Sequence, residues 1–328
     1  SLKKGSADNS FFTFFESFAE QTKNGSRVDP RTRKPIKGTG GRGYTTTLNH
    51  LKCFNQTWKN KVSFDNIGLE FYADFTAYLA AKPLNLSLNS IGSHIQRIKA
   101  VMSEAVDKKM TTNTDFKSKR FVKLTEDSDS IYLNDAELKE LRELDLSENS
   151  TLDSVRDLFL IGCYTGLRFS DCSKLTTKNF SADGYIRIVQ TKTGNPVTIP
   201  VSRVVDAILK KYGDNIHKAI SNEKTNAYLK TIGEMVPLLQ KTESKEITKG
   251  GVKITKNIPK WQLLTTHTAR RSFATNEYKA GIPSLTIMEI TGHKTEKAFL
   301  KYIRVTTEEH AQKLKLLWAN REPILKAV

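Results

Sequence analysis

Residues 291–304 read TGHKTEKAFLKYIR, a stretch with one histidine, one tyrosine, four Lys/Arg and a single acid. Tyr302 stands nine residues after His293 in this cationic setting. Alone, the pattern fits the solvated edge of an amphipathic helix. Its meaning depends on what the rest of the chain brings to the same place. Upstream, HTARRSFAT (267–275) sets His267 and Arg270 three residues apart, on one face of a helix. TGH places His293 just after a glycine, at a helix start. Further back, Ile186 and Ile188 alternate before Thr193-Gly194-Asn195, and Val197 and Ile199 after it. That pattern predicts a β-hairpin whose rim carries Lys192. TGLRFSDCSKL (165–175) puts Arg168 just past a helix end at Gly166, with Asp171 one turn on.

These segments belong to a second body that opens with LNDAELKELREL (133–144), where Asn134 and Glu137 form a helix-start signature. A helix over 154–164 follows. Beyond the hairpin the chain reads as helical, with breaks near Gly250-Gly251 and Pro283. The tail supplies Leu314, Leu317, Trp318 and Ile324 beyond the tyrosine.

The first body reads as helical. Phe11, Phe14, Phe15 and Phe18 recur at helical spacing, and further helices are predicted over 45–59, 69–81 and 88–109. In the last of these, Ile91, Ile95, Ile98, Val101, Met102 and Ala105 share a face; His94, Arg97 and Lys99 fall elsewhere and are candidates for a polyanion backbone. The segment NGSRVDPRTRKPIKGTGGRGY (24–44) contributes Arg31, Arg33, Lys34, Lys37 and Arg42, with Asp29 as its sole acid. It reads either as a flexible loop or as a phosphate-contacting loop that orders on binding. Residues 113–130 lack periodicity and read as a linker. The expected organisation is therefore 1–112, a linker at 113–130, and 131–328 with a tail helix. The fold class is mainly α with a small β-hairpin (α+β).

Charge narrows the function. The net charge is +17, more than solubility requires, and it attracts polyanions, nucleic acid first among them. Residues 1–125 carry 21 Lys/Arg against 10 Asp/Glu, residues 126–157 carry 3 against 11, and residues 158–328 carry 28 against 14. Two basic bodies thus flank an acidic band. Cys53, Cys163 and Cys172 share no metal-ligand spacing, so buried thiols in a reducing compartment are expected. No run of apolar residues is long enough for a membrane span. The chain starts with Ser1, which reads as a piece of a longer protein.

The ordered set TGLRFSD, QTKTG, HTARRSFAT, TGH and FLKYIRV resembles the tyrosine site-specific recombinases, the phage-integrase family, most of all the integrases of phages and conjugative transposons. The resemblance covers about residues 131–325, and more weakly the helical front, which is similar to that family's SAM-like core-binding domain. It implies a catalytic domain and a core-binding domain that clamp duplex DNA. It also implies a catalytic set of Arg168, Lys192, His267, Arg270, His293 and Tyr302, with Asp171 bracing a histidine or arginine. The family more often carries glutamate at the position of Asp171. Arg271 stands where the family often has histidine, and a DNA-backbone contact or packing, not catalysis, is expected of it.

The chemistry that the resemblance implies is transesterification through a 3′-phosphotyrosine, which stores the bond energy and requires no metal, nucleotide or other cofactor. Two guanidiniums suit the charge that develops on the non-bridging oxygens. Cations around the phenol favour loss of its proton, and a lysine can protonate the departing 5′ oxygen. The implied biology is integration and excision of a mobile element in the bacterial cytoplasm, at the nucleoid. Its implied partners are double-stranded DNA at a recombination core site and accessory DNA-bending or excision factors. Four protomers would join two duplexes by exchanging C-terminal helices, from monomers in solution. The alternatives are a type IB topoisomerase-like nicking-closing enzyme and a catalytically silent DNA-binding regulator. A metal-dependent nuclease is disfavoured, because the acids concentrate in 126–157 and not beside the basic motifs.

Overall fold

The computed structural model describes residues 7–29, 33, 35–36, 40–126, 130–213 and 220–319. The chain divides into two compact units, Ser1–Ser128 with Glu246–Lys256, and Asp129–Lys245 with Asn257–Val328. Each has its own core.

The first unit is built on α1 (Ala7–Asn24), α2 (Gly40–Thr57), α3 (Leu69–Ala80) and α4 (Leu88–Asp107). The phenylalanine spacing of α1 turns Phe11, Phe15 and Phe18 inward, where all three are buried. They meet a centre of rings. Phe11 lies edge-on to Phe64 at 5.2 Å, and Phe71 stacks on Phe75 at 5.3 Å. Each such pair contributes about 0.5–1.5 kcal/mol beyond its area.

The helix predicted from residue 45 begins at Gly40, inside the glycine-rich segment. A Cβ on Gly41 would lie 2.7 Å from the main chain of Lys23 in α1, so this turn is helical because it has no side chain to clash there. Residues 113–126, read as linker, are packed instead: a 3-10 turn at Asp115–Lys117 and the bend after it carry Phe116 and Phe121, both fully buried, into the first core. Gly92 of α4 lets this segment cross closely, over the Leu124 carbonyl.

The second unit begins with α5 (Asp135–Glu143), whose capping box joins Asn134 and Glu137 as the sequence predicted. The helix predicted over 154–164 runs as α6 (Ser150–Thr165) and is buried on nearly every side, from Leu152 to Cys163. It stops at Gly166 in the left-handed conformation, φ +66°. The short α7 (Phe169–Cys172) follows. Then come β1 (Tyr185–Val189) and β2 (Pro196–Pro200), an antiparallel pair in the register Ile186↔Ile199 and Ile188↔Val197, so the alternating aliphatics share one face.

Next are α8 (Arg203–Tyr212) and α9 (Asn222–Glu234). Where only a break near Gly250-Gly251 was expected, there is a second hydrogen-bonded strand pair, β3 (Thr242–Lys249) and β4 (Val252–Pro259). The glycines form its turn at φ +57° and +75°. The chain continues with α10 (Thr266–Ala280), α11 (Ser284–Thr291), α12 (Glu296–Leu300) and α13 (Thr307–Ala319).

No residue of α13 is buried: Leu314, Leu317 and Trp318 are exposed, and Ile324 lies outside the described residues. Cys163 and Cys172 are buried as expected, whereas Cys53 is exposed. Among the described residues no helix is long and apolar enough to cross a membrane. The α+β class read from the sequence holds, as a mostly helical chain with two small sheets.

Candidate active site

Chain reversals in the second unit bring the predicted side chains together. The left-handed stop at Gly166 ends α6 and releases Arg168, which sits at the N-cap of α7. Its Nη1 donates to Oε1 of Gln190 at 2.8 Å. Asp171, fully buried on α7, accepts the Thr191 main-chain N–H at Oδ1, 2.8 Å away, while Oδ2 has no partner. Asp171 thus braces the hairpin main chain, and its carboxyl also favours the cationic form of Arg270.

Arg270, on the inner face of α10, is 1% exposed. Nη1 donates to the Gly166 carbonyl at 2.6 Å and Nη2 to the Thr291 carbonyl; Nε is unpartnered. Burial, then the charge of Arg168, lower this guanidinium to about 10, which leaves it cationic at neutral pH. It has donors to spare for an anion, since a guanidinium carries five N–H groups.

Tyr302 follows α12, its carbonyl accepting from Thr275 Oγ1 at 3.1 Å. The phenol oxygen lies 3.3 Å from His267 Nε2. The phenol ring centroid is 4.6 Å from that of His293, 5.7 Å from the Arg270 guanidinium and 5.9 Å from that of Arg271. His293 follows the left-handed Gly292 that closes α11. Its Nδ1 is 2.8 Å from Thr291 Oγ1, and that hydroxyl donates to the Ile287 carbonyl at 2.6 Å. The hydroxyl has one hydrogen, so the proton of the neutral ring is assigned to Nδ1 from this network. Loss of hydration, followed by nearby cations, lowers both rings to about 4: Arg271, Arg270, Lys192 and Arg168 act on His267, and Arg270 and Arg168 on His293. Lys192 itself is exposed on the β1–β2 turn.

Arg168, His267, Arg270, His293 and Tyr302 thus converge, with Lys192 on the neighbouring turn. Arg271, expected at a DNA backbone, is half-buried beside the tyrosine ring. Sequence reasoning missed Gln190, Thr291 and Thr275. For Gln190 a signal existed, because strand alternation places it inward with Ile186 and Ile188.

Candidates in the first unit separate. Arg33 and Arg42 are exposed, and Arg97 lines a polar groove between α2 and α4 with Gly43, Thr46, Asn89 and Ser93. His94 lines the same groove but is buried at 6% exposure, its Nδ1 2.8 Å from Thr47 Oγ1. Lys99 donates to the Phe121 carbonyl at 2.7 Å, an internal tie that runs against a free DNA contact. Arg31, Lys34 and Lys37 lie outside the described residues.

Residues 132–309, more than half of the chain, match the phage integrase family. The chain belongs to the phage integrase family. Its front, residues 10–123, matches the phage integrase SAM-like domain. As a member of that family the chain is a tyrosine recombinase. Among solved structures, this integrase-family chain is similar to the Tn1549 transposon integrase in complex with circular intermediate DNA, at 16% identity and a TM-score of 0.62, over 93% of this chain and 98% of that one. It is similar to the XerH site-specific recombinase bound to palindromic difH substrate, at 16% identity and a TM-score of 0.64, over 97% and 99%. It also resembles a lambda integrase tetramer bound to a Holliday junction, at 14% identity and a TM-score of 0.59, over 88% and 77%. At these identities the likeness is one of fold. No curated protein matches the chain.

Proposed function

We propose that this recombinase cuts and rejoins duplex DNA at a specific site, using Tyr302 as nucleophile. The phenol oxygen attacks the scissile phosphorus. A P–O bond to tyrosine forms as the bond to the 5′ oxygen breaks, giving a 3′-phosphotyrosine and a free 5′-hydroxyl. The phenol proton passes to His267, whose Nε2 is within reach and whose ring is neutral at physiological pH. Arg168 and Arg270 grip the non-bridging oxygens as charge builds there, and one such preorganised donor is worth about 10²–10³ in rate; His293, whose Nδ1 proton is engaged by Thr291, donates from Nε2 only in the doubly protonated form that a bound anion favours. Lys192 protonates the leaving 5′ oxygen. A 5′-hydroxyl from a partner strand then attacks the phosphotyrosine, and the same groups serve in reverse.

The observation that carries this reading is the 3.3 Å approach of Tyr302 to His267 beside two guanidiniums anchored in the fold. The net charge of +17 supports a DNA partner, held by the groove around Arg97 and by Arg33, Arg42 and Arg271. The exposed Leu314, Leu317 and Trp318 of α13 support docking on a neighbouring protomer within a tetramer, as the likeness to the Holliday-junction complex suggests. Integration and excision of a mobile element at the bacterial nucleoid is the setting that fits such an enzyme.

The test is a nicked duplex that traps the cleaved state. With EDTA present, wild type should form a covalent protein–DNA adduct, and Tyr302→Phe should bind the same duplex without forming it. An adduct in Tyr302→Phe would overturn the assignment of the nucleophile. Binding without any adduct in wild type would favour the silent regulator.

A further inference from the structure

Gln190 follows the last residue of β1 and is 1% exposed, so its amide must find partners inside the protein. Oε1 accepts from Arg168 Nη1 at 2.8 Å and from Thr193 Oγ1 at 2.9 Å. Nε2 donates to the Thr291 carbonyl at 3.2 Å. That same carbonyl accepts Arg270 Nη2. One amide therefore touches one guanidinium directly and shares its second partner with the other. Its orientation is fixed, since a flipped amide would set N–H groups against a guanidinium and a hydroxyl donor.

The main chain of Gln190 closes the turn. Its N–H donates to the Asn195 carbonyl at 2.9 Å, and its carbonyl accepts from Gly194 at 2.8 Å. Lys192 rides on the loop so defined. Gly292 completes the seat, because a Cβ there would run into the Gln190 amide.

We infer that Gln190 is a positioning residue, whose buried amide couples the Lys192 turn to the carbonyl seat shared with Arg270. This rests on the roles proposed above for Tyr302, Lys192 and the arginines. Lys192 is exposed on a short turn, and a general acid must be held within hydrogen-bond reach of its oxygen. Two ties to the fold flank it. Asp171 holds the Thr191 N–H, and the Gln190 side chain holds the base of the turn. Without the amide, the turn keeps its main-chain bonds but loses its hydrogen bond to the Thr291 carbonyl of α11.

The experiment compares two leaving groups. A nicked duplex is made with a site selected from random-sequence DNA by wild-type adduct trapping. A second is identical except that sulfur replaces the scissile 5′ oxygen; a thiolate leaves without needing a proton. Gln190→Met keeps the volume and removes the amide. On the oxygen substrate it should form adduct about 100-fold more slowly than wild type, as expected for loss of a positioned general acid. On the sulfur substrate the deficit should shrink at least about tenfold, while DNA affinity stays within about twofold.

Equal slowing on both substrates, or a wild-type rate on the oxygen substrate, would overturn the inference. Should Gln190→Met fail to fold, Gln190→Glu serves. It keeps acceptors for Arg168 and Thr193 but has no donor for the Thr291 carbonyl, and the same recovery on sulfur is expected. A wild-type protein that yields no trapped adduct in the selection itself refutes the underlying reading instead, so the two failures are distinguishable.

Discussion

His267 Nε2 lies 3.3 Å from the Tyr302 hydroxyl, in a ring lowered to about 4 by loss of hydration and then by Arg271, Arg270, Lys192 and Arg168. The cations that seat a phosphate thus also keep this histidine neutral and able to accept a proton.

His267→Gln keeps a hydrogen-bonding group but cannot take up the proton. Adduct formation should fall by about 10²–10⁴. In the wild type, the acceptor form is present above the ring's pKa and lost as pH falls through it. Bound phosphate is negative and raises that pKa above the free-protein value of about 4. Single-turnover cleavage should therefore show an acid limb that disappears in His267→Gln. An unchanged limb in the variant would assign it to another group.

His94, His267 and His293 are each lowered to about 4 in the folded chain, mainly by desolvation, from an ordinary 6.5. As pH falls below 6.5 the unfolded chain takes up these protons while the folded chain does not. Stability is thus fully present above about 6.5 and declines towards 4. Thermal unfolding of the free protein should show a lower midpoint at pH 5.5 than at 7.5. A midpoint that holds or rises over this interval would contradict the lowered titration of these rings.

Gly92→Ala would drive a methyl group into the main-chain carbonyl of Leu124. The obstacle is backbone and cannot swing away, so a loss of about 1–3 kcal/mol is expected in urea unfolding. An unchanged unfolding midpoint would mean that residues 121–126 do not lie against α4.

Much of this architecture is legible in the sequence because local chemistry and tertiary structure agree. The Asn134–Glu137 capping box, the stop at Gly166 and the β1–β2 register follow from short-range pattern. The strands β3 and β4 were hidden because they are mostly exposed and charged, and so carry little apolar alternation. Phe116 and Phe121 are two isolated rings in a polar stretch, and nothing periodic announces their burial. The burial of His94 was missed although Ile91 lies three residues before it and Ile98 four after, spacing that turns it towards the core. Within the site, the ionisable side chains were visible as motifs. The amide and hydroxyl that orient them were not, because an isolated Gln or Thr gains meaning only from the partners the fold supplies.

The seat of Arg270 is made of oxygens that every residue type carries, those of positions 166 and 291. Position 166 is held to glycine by its positive φ and by the Phe273 ring and Thr291 methyl beside it, and Thr291 is itself fully buried. Lysine could not inherit the mooring, since a single ammonium lacks the planar fork that spans two carbonyls. The position is thus strict about its own occupant.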